Sequence, residues 1–433
     1  MLQHKKYKPC YNKYNLVSKR FLSGVVQMKV ELSSAKSPDK FDFVLVTYLI
    51  LTIGMSLLSI YSAFGIIGQA AGIDYMMKQA MWFIIGSIAI GVIMYLGNDS
   101  MLQFAKIGYW FLMVCLVVLL IGKVYNMLTG GSLLGMIITT NGATSWFKLG
   151  PFGSFQPSEF MKIVLILITA GVIDEHNNNK LTESYEMDFS LFMNVAKWAV
   201  PPILLILAQP DTGVVLIIAI SLVAMIVCSG IKKQWFVIIG ILIVIVLVLF
   251  FYMYYYHFNV LNELIGGEGG YRLKRITAWL NPETDINGEG HQLYMALLAL
   301  GSAGLTGHGM GIELVSIPEA QTDFIFAVIG QSWGLIGTLF IVVLCLGLDI
   351  HLCRIASMSK NMFEKYFILG ILGMLLYQQI QNIGMIIGLL PITGITLPMI
   401  SYGGSSLLSY LIAFGIIMNA SAKAKKLSDY VYE

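Results

Sequence analysis

Between Arg272 and Gly311 the sequence gathers side chains that can move protons and hold anions. Arg272, Lys274 and Arg275 come first, followed by Glu283, Asp285 and Glu289, on a backbone punctuated by Gly288, Gly290, Gly301, Gly304, Gly307, Gly309 and Gly311. A carboxylate among glycines can approach a hydroxyl and take its proton, and guanidinium groups upstream can receive an anionic substrate. Composition alone would equally describe a solvated connection. The length weighs against that: about 65 residues separate the flanking apolar runs, where ~4–6 is usual, and connections this long carry function or are disordered. Residues 293–305 are too apolar for disorder and, at 13 residues, shorter than the ~17–25 a crossing helix needs, which predicts a re-entrant or interfacial segment.

Two further corners carry polar chemistry. Gln156-Pro157-Ser158-Glu159 and Gln209-Pro210-Asp211-Thr212 each open an apolar run with Pro beside a residue type that caps helices. Simple helix punctuation would account for either one. Together on one side of a membrane they would present free N–H groups suited to phosphate. Glu159 and Lys162 stand three apart on one helix face, where ionisable groups are costly enough to mark function, a structural ion pair being the alternative. Gln378, Gln381 and Asn382 form a polar stripe suited to interhelical hydrogen bonds.

These residues must be positioned by a membrane protein. Apolar residues make up 57% of the 433-residue chain and charged residues 12%, against about 25% charged in soluble domains, and the mean hydropathy is +0.77. Runs of spanning length centre on 42–63, 79–97, 104–122, 159–175, 191–208, 213–229, 235–256, 323–348, 366–390 and 404–420. The expectation is an all-α polytopic membrane protein with ten transmembrane helices and a large extracellular loop, 258–322, between the seventh and eighth. Residues 1–40 form a basic tail and residues 421–433 a second tail. Nine Lys and Arg precede residue 41; with that tail inside, inner segments hold nineteen basic residues and outer loops six. The positive-inside rule then puts both termini in the cytoplasm, with the first tail held near anionic lipid.

Composition and motifs also exclude. No apolar core with a cleavage site opens the chain, as a signal peptide would require. A phosphate-binding P-loop, an HExxH and a CxxC are all missing, and the five cysteines do not pair at metal or disulfide spacings. The net charge of +3, without a basic block interleaved with aromatics, gives nucleic-acid binding no support. Energy for any reaction must therefore arrive in an activated substrate.

Five segments, NGATSWFKLGP (141–151), QPSEFMK (156–162), QPDTG (209–213), PEAQTDFIFAVIG (318–330) and GLLPITGITLPMISYGGSS (388–406), together resemble the SEDS family of bacterial cell-wall proteins, of the RodA, FtsW and SpoVE type. The similarity runs from about residue 42 to 420, and Gly142 to Phe147 leans towards RodA. It implies a peptidoglycan glycosyltransferase of the bacterial cytoplasmic membrane. Such an enzyme polymerises lipid II, usually with a class B penicillin-binding protein, in cell-shape elongation or division. The family's essential Asp falls, in the segment DINGEGHQ, on Asp285. His291, Met295-Ala296, Ala303-Gly304 and Gln331-Ser332 depart from the family's usual residues.

On that resemblance Asp285 is the catalytic base, with Gln156, Ser158, Glu159, Lys162, Arg272, Arg275 and Ser401 as substrate-binding candidates. No cofactor is required, and the pyrophosphate leaving group leaves room for a divalent cation, Mg or Mn. The partners implied are lipid II, membrane lipid and the penicillin-binding protein. Two other readings suit ten spans with polar interiors: a flippase or transporter of a lipid-linked precursor, and a non-catalytic scaffold for the penicillin-binding protein. Charge concentrated in an outer loop and not at the midplane speaks against transport.

Overall fold

The computed structural model describes residues 41–129, 137–140, 143–148, 150, 153–180, 184–265, 271–285, 288 and 290–432. Within these, the side chains of 138–140, 143, 265, 271–272, 284–285 and 426–432 are not described. The basic tail over 1–40, Glu289 and the side chains of Arg272 and Asp285 therefore lie outside the described residues.

Each of the ten apolar runs falls on a helix. In chain order the helices are α1 (Phe43–Ser62), the single turn α2 (Phe64–Ile67), α3 (Gln69–Leu96), α4 (Met101–Thr129), α5 (Pro157–Asn179), α6 (Tyr185–Ala208), α7 (Thr212–Cys228) and α8 (Lys233–Tyr256). Then come α9 (Phe258–Ile265), α10 (Tyr271–Leu280), α11 (His291–Ser302), α12 (Ile325–Met358), α13 (Met362–Ile386) and α14 (Gly404–Tyr432). Starts are set locally. The carboxylates of Asp42 and Asp211 accept from the backbone N–H groups of Leu45 and Val214, and Ser184 accepts from Met187, satisfying amides that a helix leaves open. Pro157 occupies the first position of α5, where its missing N–H costs nothing.

Seven helices among the described residues are long and apolar enough to cross a membrane. α5 and α13 fall short because they carry polar side chains that the bundle, not lipid, surrounds: α5 packs against α4, α6, α7, α13 and α14, and α13 against α5, α7 and α12. α7 is simply short, at 17 residues. At the other extreme α8 buries no residue at all.

The all-α expectation needs correction. Strands β1 (Ile137–Thr140), β2 (Ala143–Lys148) and β3 (Ser154–Phe155) form an antiparallel sheet in that order. Thr140 pairs with Ala143 at one end of the β1–β2 ladder, and Phe147 with Phe155 between β2 and β3. The 258–322 segment is also less of a loop than expected. It contains α9, α10, a 3₁₀ turn at Pro282–Asp285 and α11, and α11 takes up most of the apolar run whose length is too short to span. α14 continues without a break through the expected second tail, to Tyr432.

α12 is broken at Gly334, whose φ of 62° and ψ of −153° are non-helical. The polar groups around the break are satisfied by the preceding loop. Leu335 and Ile336 donate to the carbonyls of Gly304 and Leu305, while His308 and Gly309 donate to those of Gln331 and Ser332. Gly307 and Gly334 permit this close approach, since a Cβ on either would lie about 2.5 Å or less from opposing backbone.

Candidate functional site

The two proline corners meet. Asp211, the cap of α7, accepts through Oδ2 from Gln156 Nε2 at 2.8 Å and from the Ser158 hydroxyl at 3.3 Å. The Gln156 N–H donates in turn to Ser405 Oγ at the start of α14, at 3.1 Å. Burial, reinforced by the nearby Glu159 carboxylate, pushes Asp211 up to about 6.

One turn into α5, Lys162 Nζ lies 2.7 Å from Glu159 Oε2, with side-chain exposures of 0% and 11%. The ammonium also donates to the Tyr410 hydroxyl at 3.2 Å and stands 4.7 Å from that ring's centroid. Tyr410 and Gln378 exchange hydrogen bonds at 2.8 and 3.0 Å. Lys162 is thus enclosed and paired, and Glu159 is the member of the chain that reaches the site's edge.

The 388–403 segment closes the same end of the bundle. Asn382 donates to the carbonyls of Asp323 and Ile395 at 2.7 and 2.8 Å, Gln381 to that of Pro391, and Trp279 of α10 to that of Gly388. At Gly394, with φ of 71°, a Cβ would lie 3.3 Å from Asp323 Oδ2 and 3.9 Å from an Arg275 guanidinium nitrogen. Gly394 therefore marks where Arg275 and Asp323 converge. Burial and the neighbouring Glu319 push the Asp323 carboxyl up to about 7, against the opposing pull of Arg275. A Cβ on Gly213, at the start of α7, would touch Ile395, which joins this cluster to the corners.

Gln156, Ser158, Glu159, Lys162 and Arg275 consequently gather at one end of the bundle. Ser401 is buried, accepting from the Leu397 N–H at 2.9 Å while its carbonyl accepts from Gln79, so its hydroxyl shapes the 388–403 turn. Asp285 ends the 3₁₀ turn between α10 and α11, next in chain to the helix that carries Arg275. Among the described residues no group of three or more His, Cys, Asp or Glu could hold a metal ion.

Asp211, Asp323, Tyr410 and Gln378 complete this arrangement. The first two stand inside recognised motifs, where an acid immediately before a long apolar helix was a signal available in the sequence. Tyr410 offered none, since its partner Lys162 is 248 residues away.

Comparison with known proteins agrees with this architecture. Residues 42–426 match the FtsW/RodA/SpoVE family of cell cycle proteins. Stage V sporulation protein E of Bacillus subtilis is 34% identical over 398 residues, covering 89% of this chain and 97% of the relative. The probable peptidoglycan glycosyltransferase FtsW of Geobacter sulfurreducens is 29% identical over 399 residues, covering 90% and 98%. Among solved structures, a chain of a peptidoglycan synthase complex superposes with a TM-score of 0.68 at 23% identity, covering 88% of this chain and 97% of that one. The rod shape determining protein RodA of Thermus thermophilus gives 0.59 at 22%, covering 88% and 96%. With a family match over nearly the whole membrane region, the chain belongs to the FtsW/RodA/SpoVE family of cell cycle proteins, the SEDS family whose motifs its sequence carries.

Proposed function

We propose that this chain is a peptidoglycan glycosyltransferase that polymerises lipid II at the outer face of the cytoplasmic membrane, crossing it ten times with both termini inside. The observation that carries the proposal is the convergence of segments 156–162, 209–213, 318–330 and 388–406 on one end of the bundle, beside the helix that leads to Asp285. The relatives' names and the family membership support the same reaction. A class B penicillin-binding protein is the partner this reading calls for, and the 142–147 segment favours wall elongation.

The chemistry is a single inverting displacement. The acceptor hydroxyl oxygen attacks the anomeric carbon of an α-linked donor. As that bond forms, the bond to pyrophosphate breaks, and undecaprenyl pyrophosphate leaves. The hydroxyl proton passes to the Asp285 carboxylate. Pyrophosphate is a good leaving group, so the main demand is positive charge around it. Arg275 and Arg272 on α10, with the N-termini of α5 and α7, supply it. Lys162 serves through Glu159, whose position it fixes, and Gln156 and Ser158 orient Asp211 at the mouth.

Polymerisation of purified lipid II by the purified chain, with and without candidate partners, tests the proposal. Asp285→Asn keeps the shape and removes the basic oxygen, so the rate should fall roughly 10²–10⁴-fold. Glu283→Gln, at an exposed residue of the same turn, should change it little. Near wild-type polymerisation by Asp285→Asn would put the base elsewhere. No polymerisation by the wild type with its partner present would favour the scaffold, and movement of a lipid-linked precursor across vesicles would favour transport.

A further inference from the structure

At the opposite end of the bundle from the candidate site, a cavity of about 170 Å³ opens between the start of α1, the last turns of α12 and the far part of α14. Val44, Ile355, Met358 and Ala424 give it apolar walls, and Arg354 and Lys425 line it with cationic groups. Its acidic member is Asp42, whose side chain is fully enclosed. Asp42 accepts from the Leu45 N–H, the Ser421 hydroxyl and Lys425 Nζ, the last at 2.8 Å, and His351 Nε2 lies 3.1 Å away. The negative charge of Asp42 is thereby matched by Lys425. Arg354 is not matched. It is exposed, and among the described residues no carboxylate lies within ion-pairing distance of it. An apolar cavity thus carries one uncompensated guanidinium beside an ammonium with N–H groups to spare.

The surface leading to the cavity completes the pattern. Leu339, Val343, Leu346 and Ile350 are exposed by 57, 59, 51 and 68% and recur at three- and four-residue spacing up to Arg354, which makes them one helical stripe. From Leu339 to Arg354 the helix rises about 22 Å, more than the ~15 Å of a single leaflet's hydrocarbon. Val44, exposed by 50%, lines the same opening from α1. A long apolar stripe ending at a cationic pocket has the shape and polarity of a phospholipid standing in the leaflet.

We propose that the cavity is a binding site for the phosphate headgroup of an anionic phospholipid of the inner leaflet, held by Arg354 and Lys425, with an acyl chain along the α12 stripe. This rests on the membrane orientation proposed above and is independent of the enzymatic reading. Basic pockets between membrane helices on the cytoplasmic side have the chemistry such headgroups need, and a guanidinium can grip a phosphate through two parallel hydrogen bonds.

The test uses the full purified chain, following bound lipid by native mass spectrometry and thermal unfolding by intrinsic fluorescence. The probes are phosphatidylglycerol, phosphatidylcholine and inorganic phosphate. Arg354 is exposed and, among the described residues, has no carboxylate partner, so Arg354→Gln should unfold like the wild type without lipid. At about 0.5 M salt, where diffuse surface attraction is screened, it should bind phosphatidylglycerol roughly tenfold more weakly. Arg354→Lys should recover part of the loss, and Lys360→Gln, on the same exposed end but outside the cavity, should bind as the wild type does. Unchanged phosphatidylglycerol binding by Arg354→Gln overturns the proposal, as does equal affinity for phosphatidylcholine. Equal stabilisation by inorganic phosphate would assign the site to free phosphate instead of lipid. Loss of lipid binding with polymerisation intact leaves the catalytic reading untouched.

Discussion

Replacing Lys162 with methionine isolates the enclosed pair on α5. At the observed 2.7 Å, and with an effective dielectric of about 20, the attraction between the two charges is about 6 kcal/mol. Dehydrating both ions offsets much of that, so the pair adds little over an apolar replacement, yet removing one member strands the other. Lys162→Met should therefore cost about 3–5 kcal/mol, whereas Lys162→Met with Glu159→Gln should cost clearly less than the two single changes summed. The Tyr410 hydroxyl, which accepts from Lys162, keeps its Gln378 partner in every variant. Thermal unfolding of detergent-purified protein reads stability, and lipid II polymerisation per folded molecule reads function. Strictly additive losses would show that the charges do not interact as the geometry requires. A Lys162→Met protein with wild-type stability but lost polymerisation would refute the reasoning in the opposite direction, placing the ammonium on the substrate.

Gly394→Ala should destabilise by about 1–2 kcal/mol from its left-handed backbone alone. It should also lower polymerisation, because the new methyl group would press on Asp323 and Arg275; unfolding and activity together check this. Asp211 and Asp323 bind protons more tightly folded than unfolded, at about 6 and about 7 against an ordinary 3.8. Their contribution to stability should be complete below about pH 4 and lost as pH rises through roughly 6 to 7, and Asp323→Asn should flatten the unfolding temperature over that window. For orientation, a cysteine at exposed Ser316 should react with an impermeant thiol reagent from outside, while one at exposed Ser357 should not. The inverse labelling would turn the protein over in the membrane. Ser421 is a poor reporter for the inner side, since its hydroxyl is buried against Asp42.

Helix positions were legible because lipid imposes a simple demand: every crossing is a long apolar run whose backbone satisfies itself. α5 and α13 stand out among those runs for their polar load, because the bundle interior, and not lipid, surrounds Lys162, Gln378 and Asn382. The sheet was missed although Asn141-Gly142 between β-branched and aromatic residues announces a hairpin; strands of four, six and two residues are short beside the flanking helices. Residue chemistry singled out Gln156, Ser158, Glu159 and Arg275 as candidates, and the fold brings them to one end of the bundle. The contact of Lys162 with Tyr410, and the convergence of Arg275 and Asp323 near Gly394, bring together distant segments in a way that no local pattern encodes.

The break at Gly334 divides α12 into two pieces with different solvents. Residues 325–332, at the end of the bundle that carries the candidate site, are all buried in protein, whereas Leu335, Ile336 and Leu339 beyond the break are exposed. The 24 residues from 335 to 358 rise about 36 Å, enough to cross the hydrocarbon unaided. The insertion machinery can therefore commit α12 to the bilayer on the strength of 335–358 alone, and the 325–332 stub can dock later against the rest of the bundle. A side chain at 334 would block the backbone of Leu305 and Gly307 from mending the gap. Insertion would be spared and only the docking of the stub would fail, so a chain altered at this glycine should reach the membrane with normal topology and be caught there by quality-control proteolysis.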